Sequence, residues 1–157
     1  EGYCFLELGK YIERILNSVN LIRKQWILYG EDLLDNDYSN WRYFLSSVSG
    51  YDFYLRNNLG TMEKERIFYQ MIYEPLFPNS ITYSLNELDK FAKRLNSGEQ
   101  GESDETVGFF IGKCIANVQF TRHPRTREEK MLFLARIESD IYEISNIFNH
   151  QFFGLVV

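Results

Sequence analysis

"ELGKYIERILNSVNLIRKQW", residues 7–26, decides the fold class. Leu8, Ile12, Ile15, Leu16, Val19, Ile22 and Trp26, with Phe5 before them, recur at the period of a helix and not of a strand. At about 100° per residue they gather into one apolar stripe. The spacing predicts a helix over about residues 3–29, ended by Gly30 as glycine commonly ends helices. Gly9 interrupts this pattern, and glycine in a helix interior costs about 1 kcal/mol relative to alanine. Glu13 follows one turn later on the same side, beside Leu6, Asn17 and Asn20. That placement predicts a second helix in close approach at Gly9, with Glu13 shielded from water and held by an Arg, Lys or amide partner. The functional alternative makes Glu13 a pocket carboxylate, serving as ligand or general base, and a third reading leaves it a plain solvated glutamate.

The rest of the chain keeps the same period. "EDLLDNDYSN" (31–40) reads as a polar loop. Trp41, Phe44, Leu45 and Val48 predict a short helix capped by Ser39 or Asn40 and broken by Gly50. "YDFYLRNN" (51–58) is a further short helical piece, closed by Gly60. Thr61 is the expected cap of a helix running through Ile67, Phe68, Met71 and Ile72, stopped near Glu74 by Pro75. The turn "FPNSI" (77–81) opens the next helix, capped by Asn79 or Ser80, with Ile81, Leu85, Leu88, Phe91, Ala92 and Leu95 as its stripe. "NSGEQGESDE" (96–105) is polar and acidic and reads as a mobile loop. Val107, Phe110, Ile111, Cys114, Ile115 and Val118 mark another helix. Gly108 and Gly112 beside that stripe predict close backbone approach. "TRHPR" (121–125) is a turn, and Thr126 with Glu129 fits a capping box. Leu134, Ile137, Ile141, Ile144 and Phe148 line the last helix, followed by an apolar tail, "FFGLVV" (152–157). No segment alternates as a strand does. The expected architecture is all-α: one domain over 1–157, a bundle of about six helices with short connections.

A chain of 157 residues suits one domain and can bury roughly 70% of its unfolded surface. Aromatics make up 17% of it, so many rings must lie in the core. The net charge of −5 and pI of 5.1 argue against duplex nucleic acid and against an anionic membrane as partners. No apolar run reaches the length of a membrane span. Two cysteines, Cys4 and Cys114, both on helical patterns, fit a reduced cytoplasmic setting. The chain begins at Glu1 with its pattern already running, as a piece of a longer protein would.

Candidate chemistry is sparse. Arg14 is expected to point away from Glu13, into solvent or onto a part of the protein missing from this chain. Arg23 is expected to run along the core or to pair with a carboxylate such as Asp32 or Asp52. Arg122, His123, Arg125 and Arg127, just before a capped helix, form a candidate anion site. Two distant histidines without a Cys or Asp cluster predict no metal site, and no cofactor fingerprint is present. The cysteines read as core residues rather than nucleophiles.

The stretches "EGYCFLELGKYIERI", "NWRYFLSSVSGYDFYLRN" and "FPNSITYSLNELDKFAKRL" together resemble the bacterial alpha-E domain family. The features shared are a Gly-x-x-x-Glu-Arg helix, a Trp followed by a leucine-containing helix and a Tyr, and a Phe-Pro-x-Ser turn. Here they fall on Gly9, Glu13, Arg14, Trp41, Leu45, Tyr54, Phe77, Pro78 and Ser80. The resemblance is strongest over about residues 1–95. It implies an all-helical fold and a longer parent protein with two similar halves, of which this chain resembles the C-terminal one. It also implies an uncharacterised accessory or binding role beside circularly permuted ATP-grasp and transglutaminase-like proteins, in a system that makes or trims peptide or amide bonds. The implied partners are therefore proteins: the N-terminal half, or those ATP-grasp or transglutaminase-like neighbours. One departure is Ile15-Leu16-Asn17 where the family often has a small and then an acidic residue, which weakens a two-carboxylate or metal reading. The alternatives are an enzyme using Glu13 with Arg14 or Arg66 on a peptide-like substrate, and a purely structural domain.

Overall fold

The computed structural model describes residues 2–30, 38–60, 62–96 and 106–154. Among these the chain forms seven helices and no strands: α1 (Gly2–Tyr29), α2 (Ser39–Ser47), α3 (Tyr51–Asn57), α4 (Lys64–Tyr73), α5 (Ile81–Asn96), α6 (Val107–Phe120) and α7 (Arg127–Phe153). The expected loop 31–37, the Thr61 cap, most of the acidic loop 96–105 and the end of the tail lie outside the described residues.

Four long helices make the bundle. The apolar stripe of α1 buries Leu8, Ile15, Val19, Ile22 and Trp26 as its spacing predicts. It packs chiefly on α5 and then on α7, while α6 closes the ring between α5 and α7. Named contacts fix the directions. Tyr3 meets Phe91 while Ser18 meets Asn79, so α1 and α5 run antiparallel. Phe5 meets Phe148 while Arg23 meets Glu138, so α1 and α7 do too. The Val107 N–H donates to Gln151 while Asn117 donates to Asp140, so α6 opposes α7. The result is an up-down-up-down bundle of α1, α5, α6 and α7. Helices α2, α3 and α4 are inserted between the first two bundle helices. They cover the C-terminal end of α1, where Trp26 meets Trp41 at 4.7 Å and Phe68 at 5.0 Å.

Local signals set most boundaries. Thr126 and Glu129 form the expected capping box of α7, and Gly154 ends that helix in the left-handed conformation. Ser80 caps α5 by accepting from the Tyr83 N–H at 3.0 Å. Two starts differ from expectation. α2 begins at Ser39, which places Ser39 and Asn40 inside its first turn. α4 begins only at Lys64, and the Glu63 N–H before it donates to the buried Tyr54 hydroxyl at 3.0 Å. The break after α2 also works differently. Ser49, not Gly50, takes the left-handed conformation (φ 54°), and the Gly50 N–H reaches back to the Leu45 carbonyl at 2.7 Å.

The glycine expectations are overturned where they matter most. A Cβ added at Gly9 would meet nothing within 4 Å, and the same holds at Gly112. Neither glycine marks a helix crossing, because both face outward from stripes that pack on their other side. Close approach occurs instead at Gly50, where a Cβ would lie 3.0 Å from both Gln70 Nε2 and Phe77 Cζ. The Gln70 amide is tied to the Gly50 carbonyl at 3.1 Å and cannot readily give way.

The most deeply buried charge among the described residues is a lysine. Lys130 is 2% exposed, and its ammonium is 2.8 Å from the Glu65 carboxylate. It also donates to the Arg125 carbonyl at 3.0 Å and sits over the Phe68 and Trp26 rings. Glu65 is 58% exposed, so the burden of desolvation falls on the lysine.

These contrasts are measurable. Gly9→Ala and Gly9→Leu should each raise Tm, by roughly 2–4 °C for about 1 kcal/mol. Gly50→Ala should lower it, through overpacking against Gln70 and Phe77. Lower melting of both Gly9 variants would restore a close contact there. For the buried pair, urea unfolding should show Glu65→Ala costing about 2–3 kcal/mol, because it strands the lysine. Lys130→Met should cost clearly less, since it leaves only a hydrated carboxylate; equal losses would refute this asymmetry.

Candidate functional site

The outer side of α1 meets the turn after α2 and the turn before α5 in an open groove of about 330 Å³. Lys10, Glu13, Arg14, Asn17, Leu21 and Ser47 are among its walls. Helical spacing brings Lys10, Glu13 and Asn17 onto this one side, three and four residues apart. Arg14 crosses the groove: its Nη1 donates to the Pro78 carbonyl at 3.3 Å, and its guanidinium lies 5.2 Å from the Tyr11 ring. Ser18 donates to the Asn79 carbonyl at 3.3 Å, and the Asn79 amide donates to the Val48 carbonyl at 2.8 Å. The turn that launches α5 is thus tied to α1 on one side and to the end of α2 on the other.

The expectation for Glu13 is corrected. It is exposed and makes no hydrogen bond or ion pair with the described residues. The shielded acid of α1 is Glu7, 7% exposed and paired with Lys10 at 2.7 Å. Glu7 lies in the register of the packed stripe, beside Leu8 and one turn before Tyr11, whereas Glu13 lies outside it. Arg14 is likewise not free in solvent but bound to the turn. Arg23 does pair with a carboxylate, that of Glu138 on α7, 2.6 Å from its Nη2, rather than with Asp52; Asp32 lies outside the described residues. Arg66 is not brought to Glu13: it lies exposed on α4, 2.9 Å from Glu63. The other motif positions are architectural. Trp41 and Tyr54 belong to the core under α2 and α3, and Phe77 packs 5.2 Å from Phe53. Ser80 donates to the Glu74 carbonyl at 2.6 Å, while Pro78 is exposed.

The candidate anion site at the start of α7 already holds a carboxylate. Glu129 accepts from the backbone N–H of Arg125 (2.6 Å) and of Thr126 (3.2 Å). These hydrogen bonds hold the Glu129 carboxyl below its ordinary range. Arg127 turns aside and donates to the Ile27 carbonyl at 3.4 Å. Arg122 and His123 stay exposed on the turn. Burial, with Asp140 close by, pushes the Cys114 thiol up to about 12, so it remains protonated near neutral pH. No group of three or more His, Cys, Asp or Glu among the described residues is placed to hold a metal ion.

Sequence reasoning missed Lys130 and Glu7. Both stand in the register of the apolar stripes, Lys130 four residues before Leu134. A charge at such a position is the readable signal of a buried pair. The groove itself yields a test. Glu13→Gln should leave Tm unchanged within about 1 °C, as exposed substitutions do. Arg14→Ala should lower stability by roughly 1 kcal/mol, through the lost tie to the turn. A drop of several degrees for Glu13→Gln would contradict its exposed placement.

No helix among the described residues is long and apolar enough to cross a membrane. No curated protein and no solved structure matches the chain. Comparison with protein families matches residues 1–153 to Alpha-E, described as a predicted alpha-helical domain with a conserved ER motif. The chain carries two Glu-Arg steps, Glu13–Arg14 beside the groove and Glu65–Arg66 above the buried lysine. With the match spanning nearly its whole length and an all-helical fold beneath it, this chain belongs to the Alpha-E family.

Proposed function

We propose that this Alpha-E domain is a binding module that receives a basic segment of a partner protein in the groove beside Glu13. The observation that carries the reading is a division of labour among the groove's polar groups. Lys10, Arg14, Ser18 and Asn79 are each spent on a bond within the chain. The Glu13 carboxylate and the Asn17 side chain, one turn apart, are left facing the groove without a partner among the described residues. A carboxylate and an amide supported by a braced wall suit a ligand that brings N–H donors, and exposed Leu21 offers apolar contact beside them. The partners proposed from the family resemblance are the ATP-grasp and transglutaminase-like proteins of a peptide- or amide-bond-forming system, in a cytoplasmic setting. A catalytic reading is favoured by one observation: the groove is concave and reaches Glu13.

Calorimetric titration of the chain with each purified ATP-grasp and transglutaminase-like protein encoded beside it tests both readings. Binding that weakens about tenfold in Glu13→Gln and in Asn17→Ala, about 1.4 kcal/mol, with unchanged Tm, is the expected result. Absence of binding to either protein, or binding indifferent to both substitutions, would overturn the module reading. Turnover of a peptide substrate that is lost in Glu13→Gln at unchanged affinity would establish the catalytic one instead.

A further inference from the structure

A second cleft, sharing no lining residue with the Glu13 groove, opens between the end of α4 and the turn before α7. It measures about 450 Å³, within the range of small-molecule sites, and is lined by Glu65, Phe68, Tyr69, Tyr73, His123, Pro124 and Arg125. Its walls are mostly flat rings. Tyr69 and His123 are nearly parallel with centroids 5.9 Å apart, Tyr73 lies 4.4 Å from His123, and Tyr69 and Tyr73 are 5.2 Å apart. Tyr69 is 50% exposed.

Two polar groups in these walls are unspent. The Tyr73 hydroxyl is buried and has no hydrogen-bond partner among the described residues. Buried hydroxyls are almost always bonded, so an unbonded one calls for a ligand or water. Burial, reinforced by nearby Tyr69, pushes the Tyr73 hydroxyl up to about 12, so it stays a donor at neutral pH. Arg125 commits its backbone N–H to Glu129 and its carbonyl to Lys130, while its guanidinium bonds to none of the described residues. The one carboxylate in the wall, Glu65, is already neutralised by Lys130. Beside it Arg122 and Arg125 act on the carboxylate of Glu129, so three cations stand against two carboxylates and the local balance of charge favours an anion over a cation.

We infer that this cleft binds an aromatic carboxylate, its ring against Tyr69, Tyr73 and His123, its acid group on Arg125 and the Tyr73 hydroxyl. Ring stacking and a charge-assisted bond to a guanidinium supply the affinity, and a protonated phenol adds a directed donor. The same chemistry is presented by a free aromatic acid and by the C-terminal Phe or Tyr of a peptide.

The test uses 4-hydroxyphenylacetate and the tripeptide Gly-Gly-Phe as probes, with 2-(4-hydroxyphenyl)ethanol, tyramine and inorganic phosphate as controls, by calorimetry. Saturable one-to-one binding of either acid below about 1 mM, with the controls at least tenfold weaker, is expected. Preference between the two acids then tells a free ligand from a peptide end. Arg125→Gln should weaken binding about tenfold and Tyr73→Phe about fivefold. Both variants should fold, because neither removes a bond within the chain. Tyr73→Phe should melt at or above the parent, since it deletes an unbonded buried hydroxyl. No binding by either acid, equal binding of tyramine or phosphate, or indifference to both substitutions overturns the inference. None of these outcomes depends on the groove beside Glu13.

Discussion

The structure depends on α1 burying one stripe against two antiparallel neighbours at once. A helix of 28 residues cannot hold such a stripe in water alone, and α5 and α7 each cover part of it. Leu8, Tyr11, Ile15, Val19, Ile22 and Trp26 belong to this stripe, and its aromatic ends hold α5 at one end and α2 and α4 at the other. At one end Tyr3 and Tyr11 meet Phe91, and at the other Trp26 meets Trp41 and Phe68. Fixing α1 in this way leaves its outer side facing the groove.

The return of the chain into α5 is the second fixed point. Ser80 closes the turn on itself, and Arg14 and Ser18 tie the same turn to the middle of α1. Arg14 thus acts as a strut, and its side chain is held by the turn and the Tyr11 ring. Glu13, its neighbour in this Glu-Arg step, is left exposed by the 100° rotation between successive helical residues. The two halves of that step therefore do different work. The other Glu-Arg step divides in the opposite sense, with Glu65 holding the buried Lys130 and Arg66 on the surface beside Glu63.

Much of the fold was legible because it is written in local signals. Apolar residues at helical spacing marked the helices from α1 to α7, and Thr126 with Glu129 and Ser80 placed two of their starts. Gly9 misled because a glycine in a helix has two meanings, close contact or mere tolerance, and only the neighbours choose between them. Here nothing lies within 4 Å of it, while Gly50, read as a simple breaker, is crowded by side chains from α4 and the turn before α5. The site was legible only in part. The motif residues were visible as a set, yet Trp41, Tyr54, Phe77 and Ser80 proved to brace the fold, and Arg66 lies away from the groove.

By itself the sequence determined the helices, the all-α class and the membership of the chain in Alpha-E, because periodicity and caps act within a few residues. Tertiary structure alone decided which charges are buried, which are braced and which are free. Glu7 and Glu13 are alike in isolation, as are Arg14 and Arg23; their environments are set by helices more than 60 residues away in the chain. The energy of a charge depends on what displaces its water, and that is a property of the packed bundle rather than of the segment that carries it.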